Sequence, residues 1–525
     1  MAAPTKKPNI LLVMLDQLAP QSLADYGHKL VQTPNISAIA DKGVVFDNFY
    51  CNSALCGPSR FSFMTGQPNH RIGAYDNASE FPAGIPTFAH YLRLAGYRTC
   101  LSGKMHFVGA DQLHGFEDRV TTDMYPGDFG WTPTWEDPDR IHWWFHNMLS
   151  VTEAGAYDRT LEIDYDEEVA WHASRWLWDH ARSTDERPFM MCLSLMHPHD
   201  PYMAPKHHWD RYRTDDIDMP NVPSIPLKQR DPFSQRMWQL YDRDEYEVTD
   251  AHIRAARHAY YAMITYADEL IGQVMAPLQK TGLLDNTVVM VTADHGDMLG
   301  ERGLWFKMVY FERSIRVPLI MSWPGHLKPN RVTGNASLVD ILPTLVDIAT
   351  DGRPFKPAAP VAGQSLMALA RGDAKGWSDT VYGEYMAEGT FEPVFMIKRG
   401  NLKFVTAEGD PPQLYDTARD PNELENLAPS DKRTEAFAKE AADRWDSHAI
   451  RADVIRTQKA RLLVQDALVT GRIHPWDYEP KIDASKIYNR NYGGELYDTD
   501  RRARVPLRDE PPKRKTRRNW SRDIK

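Results

Sequence analysis

The stretch LCGPSR, residues 55–60, sets Cys56 between a leucine and a Gly-Pro kink, with Arg60 close behind. An exposed thiol is a liability in a soluble protein, so a cysteine expected at an exposed turn implies a use for it. Pro58 falls early in a helix, where its fixed dihedral costs no hydrogen bond, and a helix N-terminus favours an anion nearby. Further polar groups follow the ends of two apolar runs, Asp16-Gln17 and Asp294-His295-Gly296-Asp297. Carboxylate oxygens with one imidazole are a donor set for a divalent cation. Lys104 and His106 in GKMH, His197 and His199 in HPHDPY, and Lys307 are groups able to bind an anion or move a proton. Taken singly, each such residue is more often a satisfied surface or core group.

A frame is needed to bring these residues together. Apolar runs at 9–16, 44–50, 189–197, 287–296 and 317–323 alternate with helical patterns. The helices include TPNISAIADKG, with Asn35 as cap and Gly43 as stop, and a long one over 250–282. Continuous apolar strands separated by helices predict an α/β fold: a large mixed, mostly parallel sheet sandwiched by helices. Ligands of such sheets bind at the carboxyl ends of the strands, where the clustered polar groups fall. After a Pro-rich linker from Gly352, FMIKRGNLKFVTAEG and QLYDTARDPNELENLA read as short strands, followed by a helix over about 431–468. The expected units are a catalytic α/β domain over 1–375, a small C-terminal antiparallel sheet plus helix over 376–470, and an extended arm over 471–525.

The 525 residues are 42% hydrophobic and 26% charged, which excludes a disordered chain. A net charge of -10 argues against nucleic-acid binding, and the basic end PPKRKTRRNWSRDIK reads as a solvated terminus. No apolar stretch reaches the roughly 18 residues a bilayer needs, and no small-residue cleavage site follows NILLVMLD. The expectation is a soluble cytoplasmic protein without membrane contact. Cys51, Cys56, Cys100 and Cys192 form no CxxC pair, which suits a reducing compartment, and Cys100 and Cys192 read as core packing.

LCGPSRFSFMTG (55–66) resembles the signature of the sulfatase family, a branch of the alkaline phosphatase superfamily in which the cysteine is oxidised after translation to formylglycine. PNILLVMLDQ, GKMH, HPHDPY and DHGDMLGERGLWFK fall in that family's order, and VDILPT and LYDTARDPNELENLA extend the likeness into the small domain. The resemblance implies sulfate-ester hydrolysis by a formylglycine hydrate derived from Cys56, made by a formylglycine-generating enzyme. One geminal hydroxyl attacks sulfur, and loss of the other's proton later expels sulfate. It also implies one divalent metal, held by Asp16, Asp294 and His295 with the modified Cys56, and Gln17 as a carbonyl ligand. Calcium is the family's usual ion, and the imidazole strengthens the case for manganese. Many relatives have a second acid where Gln17 stands, an asparagine where His295 stands, and a tryptophan in place of Met105. Arg60 is expected to stabilise the nucleophilic end. By the same resemblance Lys104 binds sulfate, His106 accepts a proton from the diol, Asn77 donates to a sulfate oxygen, and His199 with Lys307 protonates the leaving alcohol. His197 competes for that role, and His199 is favoured because it directly precedes the x-Pro part of the motif.

Tyr125, Phe129, Trp131, Trp135, Trp143, Trp144 and Phe145 crowd one Pro- and Gly-broken segment. Aromatic faces with a carboxylate suit a quaternary ammonium, which cannot donate a hydrogen bond. The segment, with GEYMAEG and the tail WDYEP…YDTDRRARVP, is similar to the choline-sulfatase group of the family, which implies choline O-sulfate as substrate. Trp131 would then face the trimethylammonium, with Glu388 and Asp498 as countercharges. An arm that crosses a subunit boundary implies a homo-oligomer, a dimer or tetramer. The alternatives are a phosphonate monoester or phosphodiester hydrolase of the same superfamily and, if Cys56 stays a thiol, a non-catalytic protein that binds a sulfated osmolyte. A two-metal zinc phosphatase would need further His and Asp clusters.

Overall fold

The computed structural model describes residues 7–137, 146–353 and 356–470. The strand Asn9–Leu15 is buried along its whole length. It has parallel neighbours on both sides, Phe189–Leu195 and Thr287–Ala293. Such a strand is read from sequence as an unbroken apolar run, because both its faces are covered. Leu12 is fully buried, so its truncation to alanine would cost about 2–5 kcal/mol.

Arg98–Gly103 extends the sheet in parallel beyond Phe189–Leu195. On the other flank Arg316–Ser322 runs antiparallel to Thr287–Ala293, and Val44–Tyr50 runs antiparallel to it in turn, with a register shift between Phe46 and Phe49. The result is the expected large, mixed, mostly parallel sheet. The helix Leu161–Arg182 packs on Arg98–Gly103, on Phe189–Leu195 and on the long helix Asp250–Thr281. That long helix starts at a Thr249–His252 capping box and stops at Gly282, which adopts a φ of 73°.

Thr380–Tyr385, Val394–Arg399, Leu402–Ala407 and Gln413–Asp416 form a separate antiparallel sheet. Its strands alternate, so Val394 and Met396 join the main core while Phe395 and Ile397 face a second core with Trp445, Ile450 and Val454.

Two expectations are corrected. The helix expected over 431–468 is two, Arg433–Arg444 and Ser447–Leu468. Trp445 leaves the helix in an extended conformation to stack on Phe395 at 4.4 Å, and Asp446 caps the second helix by accepting from Ala449 N. Asn35 is not a cap, since the helix Pro34–Ala40 begins after Thr33. Its free N–H groups at Asn35 and Ile36 are met by the Asp268 carboxylate from the long helix, at 3.1 and 2.7 Å.

Four adjacent strands, in spatial order Thr287–Ala293, Asn9–Leu15, Phe189–Leu195 and Arg98–Gly103, run the same way. Their carboxyl ends therefore share one edge. The chain leaves that edge at Asp294, Asp16, Met196 and Lys104, which is why motifs far apart in sequence meet there.

Candidate active site

Cys56 opens the helix Cys56–Thr65, every residue of which is buried. The expected exposed thiol is therefore a correction: Cys56 is only 1% exposed. Its turn is covered because Met308 N donates to Ala54 O at 3.0 Å and Ser59 Oγ donates to Asp294 O at 2.5 Å. Gly57 leaves room for Asn77, whose Oδ1 accepts the Gly57 N–H at 2.9 Å and would lie 3.1 Å from a Cβ at that position. Burial first, and then the Asp16 carboxylate, push the Cys56 thiol up to about 12, so it is protonated at neutral pH.

Arg60 links the carboxylates on either side of Cys56. Its Nε lies 2.9 Å from Asp294 Oδ2 and its Nη2 3.3 Å from Asp16 Oδ2, while Nη1 donates to Lys104 O and Ser194 Oγ. The Lys104 ammonium also sits on Asp16 Oδ2. Burial works to raise the Asp16 carboxyl, but the Lys104 and Arg60 cations outweigh it and hold it well below the usual range. With both Oδ2 atoms engaged by cations, Asp16 Oδ1 and Asp294 Oδ1 approach His295 Nε2 at 3.6 and 3.7 Å, and Cys56 Sγ lies 3.1 Å from the same nitrogen.

The donor chemistry of this group fits a divalent cation. His295 Nδ1 lies 3.0 Å from the Gly296 carbonyl, which can only accept, so Nδ1 carries the proton and Nε2 keeps its lone pair. Burial lowers His295 to about 4, which keeps it neutral. An imidazole lone pair facing two carboxylate oxygens is repelled by them until a cation lies between them. One ligand atom from each of Asp16, Cys56, Asp294 and His295 falls within 4.8 Å of the others.

His106 stands on strained backbone, with a φ of 61°. The Asp123 carboxylate holds it there by accepting from Met105 N and His106 N at 2.9 and 2.8 Å. His106 Nε2 donates to Asn77 O at 3.1 Å, and buried Nδ1 has no partner among the described residues. Burial and then Lys104 lower His106 to about 3. This is a neutral imidazole with an idle lone pair.

Lys307 Nζ lies 2.6 Å from His199 Nε2 and 2.7 Å from Gln17 Oε1. His199 Nδ1 donates to Asp200 O at 2.5 Å, which leaves Nε2 as the acceptor. Burial and then Lys307 hold His199 well below its usual value, so the ring is neutral and Lys307 is the donor. His197 has another role, since its Nδ1 is buried 2.7 Å from Asp166 Oδ2. Gln17 turns its side-chain oxygen to Lys307, and its backbone N donates to Asp294 Oδ1 at 3.1 Å.

The Tyr125 ring lies 4.2 Å from Lys104 Nζ and 4.9 Å from the half-buried Trp131, which is 6.0 Å from His106. Glu388 is buried with Oε2 unpartnered among the described residues, and burial raises its carboxyl to about 7. Trp135 is core, its Nε1 donating to Ala387 O at 2.9 Å. Trp143, Trp144, Phe145 and Asp498 lie outside the described residues. The reading from sequence missed Asp123 and Asp200, which touch the site groups. Asp200 was visible within HPHDPY, whereas Asp123 had no local signal.

Comparison with known proteins accords with this geometry. The Sulfatase family matches residues 8–351, the C-terminal family of N-sulphoglucosamine sulphohydrolase matches 300–447, and the choline sulfatase enzyme C terminal family matches 452–505. The chain belongs to the sulfatase family and is a sulfuric ester hydrolase. Within that family it is 44% identical to the choline-sulfatase of Rhizobium meliloti (strain 1021), over 93% of this chain and 96% of that protein. It is 29% identical to an arylsulfatase of Clostridium perfringens, over 82% and 92% of the two chains. In fold it is similar to the phosphonate monoester hydrolase of Agrobacterium radiobacter, with a TM-score of 0.68 at 24% identity over 85% of this chain and 96% of the other. Among the described residues no helix is long and apolar enough to cross a membrane.

Proposed function

We propose that this enzyme hydrolyses choline O-sulfate to choline and sulfate, with residue 56 oxidised from cysteine to formylglycine by a maturation enzyme. One divalent cation, calcium or manganese, is held by Asp16, Asp294, His295 and the residue 56 side chain. When present, these two groups would supply a geminal diol as nucleophile and a Lewis acid at the sulfuryl oxygens.

The chain's own residues account for the remaining work. Arg60 fixes both carboxylates, and Lys104 places a positive charge beside Asp16 where an anionic ester must enter. His106 Nδ1 takes a proton from the nucleophile, its ring held by Asn77 and its backbone by Asp123. An alkyl alcohol leaves poorly as an alkoxide, so a proton must reach the ester oxygen. Lys307 and His199 supply it, since Lys307 spends one N–H on Gln17 and one on His199 and has a third to offer.

The observation that carries the choice of substrate is the aromatic pair Tyr125–Trp131 bordering the sulfate-binding side, together with buried Glu388, whose carboxyl lies within electrostatic reach of Lys307. The 44% identity to a choline-sulfatase supports the same reading. The reading includes an arm over 471–525 that brings Asp498 to the ammonium from its own chain or from a neighbour in a cytoplasmic dimer or tetramer.

The test is Trp131→Ala, assayed on choline sulfate and on 4-nitrophenyl sulfate. Loss of a desolvated cation-π contact of about 2 kcal/mol lowers kcat/KM on choline sulfate about 30-fold. The expected loss on the aryl ester, which carries no ammonium, is far smaller. Equal losses on both would remove Trp131 from ammonium recognition, and faster turnover of an aryl phosphonate by the unaltered enzyme would transfer the assignment to phosphonate monoester hydrolysis.

A further inference from the structure

We propose that Gln17 is a positioning residue for Lys307 and not a cation ligand, its amide held in one orientation by Asp200 and Asp297. The inference rests on the proposed role of Lys307 and His199 in protonating the leaving alcohol.

The backbone at Gln17 is strained, with a φ of 65° at a residue that is neither glycine nor asparagine. Two tertiary contacts hold it there: Tyr260 Oη donates to Gln17 O at 2.6 Å, and Gln17 N donates to Asp294 Oδ1 at 3.1 Å. Strain of this kind persists only where the surroundings over-determine the conformation. Lys307 is presented in the same way, between Phe306 and Met308 at φ values of 60° and 74°.

The amide between them has a single favourable orientation. Gln17 Nε2 donates to Asp297 Oδ2 at 2.7 Å and to Asp200 Oδ1 at 3.3 Å. A flipped amide would set its carbonyl oxygen against two carboxylates and its NH2 against the Lys307 ammonium, turning three attractions into repulsions. The carboxylates are themselves fixed, Asp297 by the Tyr202 hydroxyl at 2.8 Å and Asp200 by His146 Nδ1 at 3.1 Å. The orientation of Oε1 is thus set by chemistry, and its 2.7 Å contact with Lys307 Nζ follows. Held by Gln17 and His199, Lys307 can direct its remaining N–H only along one line. A site whose chemistry needs a proton at the ester oxygen needs that line fixed, since a misplacement of about 1 Å costs about 100-fold in rate.

The experiment is Gln17→Met in the full-length, cysteine-converted enzyme, with Lys307→Ala as reference. An alkyl ester that needs protonation, choline sulfate, is compared with 4-nitrophenyl sulfate, whose leaving group departs as a stable anion. Bound metal is measured in parallel by elemental analysis. The expected result is a fall in kcat of about 100-fold on choline sulfate and a far smaller one on the aryl ester, with metal content unchanged. Should Gln17→Met fail to fold, Asp297→Asn is expected to show the same bias. Equal losses on both esters, or loss of metal from Gln17→Met, would overturn the inference. If Lys307→Ala shows the bias and Gln17→Met does not, only the role of Gln17 falls. If Lys307→Ala shows none, the proton-donor reading falls, and this inference with it.

Discussion

Arg60 Nε stands 2.9 Å from Asp294 Oδ2, and both side chains are fully buried. This pair, with the Asp16 contact beside it, turns two carboxylates so that their remaining oxygens point at one centre. A guanidinium bridges two acceptors with a planar fork, which an ammonium cannot do. Arg60→Lys keeps the charge and loses the fork. Metal affinity is expected to fall about 10–100-fold, as for other groups that orient metal ligands. Calorimetric titration of the metal-free protein with Ca2+ and with Mn2+ measures this, and unchanged affinity for both would remove Arg60 from the orientation of the site.

His106 is expected to act only as a base. Replacing it with glutamine keeps a donor toward Asn77 O and removes the lone pair at Nδ1. The predicted result is a fall in kcat of about 100–10,000-fold with little change in KM. A rise in KM alone would reassign His106 to binding.

The parallel strands were legible in the sequence because strands covered on both faces read as continuous apolar runs, as NILLVML does. The site motifs were legible for a related reason, since they lie immediately after those runs. The break at Trp445 was not legible, because the helical pattern of 431–468 continues across it. What ends the first helix is the seat for Trp445 on Phe395, a contact across 50 residues of sequence. The same holds at Cys56, whose Gly-Pro turn reads as exposed until the segment around Lys307 folds over it. Asp123 left no trace in the sequence because its role is to accept from the backbone of the His106 loop, which no side-chain pattern reports.

Glu388 predicts a pH dependence of binding. Its carboxyl titrates near 7 because burial, with Asp76 adding to it, disfavours the charged form. A folded value above the unfolded one means that this group's contribution to stability is present below the unfolded value and is lost as pH rises through about 7. A quaternary ammonium binds the ionised form. KM for choline sulfate is therefore expected to fall between pH 6 and 8, while KM for 4-nitrophenyl sulfate shows no matching step. Glu388→Gln should raise the first KM and flatten its profile. A profile unchanged by that substitution would separate Glu388 from the ammonium.

The most direct test of the account is peptide mass spectrometry of the segment containing residue 56, on protein co-produced with a formylglycine-generating enzyme, together with sulfate release from choline sulfate by the same preparation. The account predicts an aldehyde at residue 56 and sulfate release proportional to the converted fraction, with none from Cys56→Ala. Sulfate release from protein that retains the thiol, or converted protein that leaves choline sulfate intact, would contradict it.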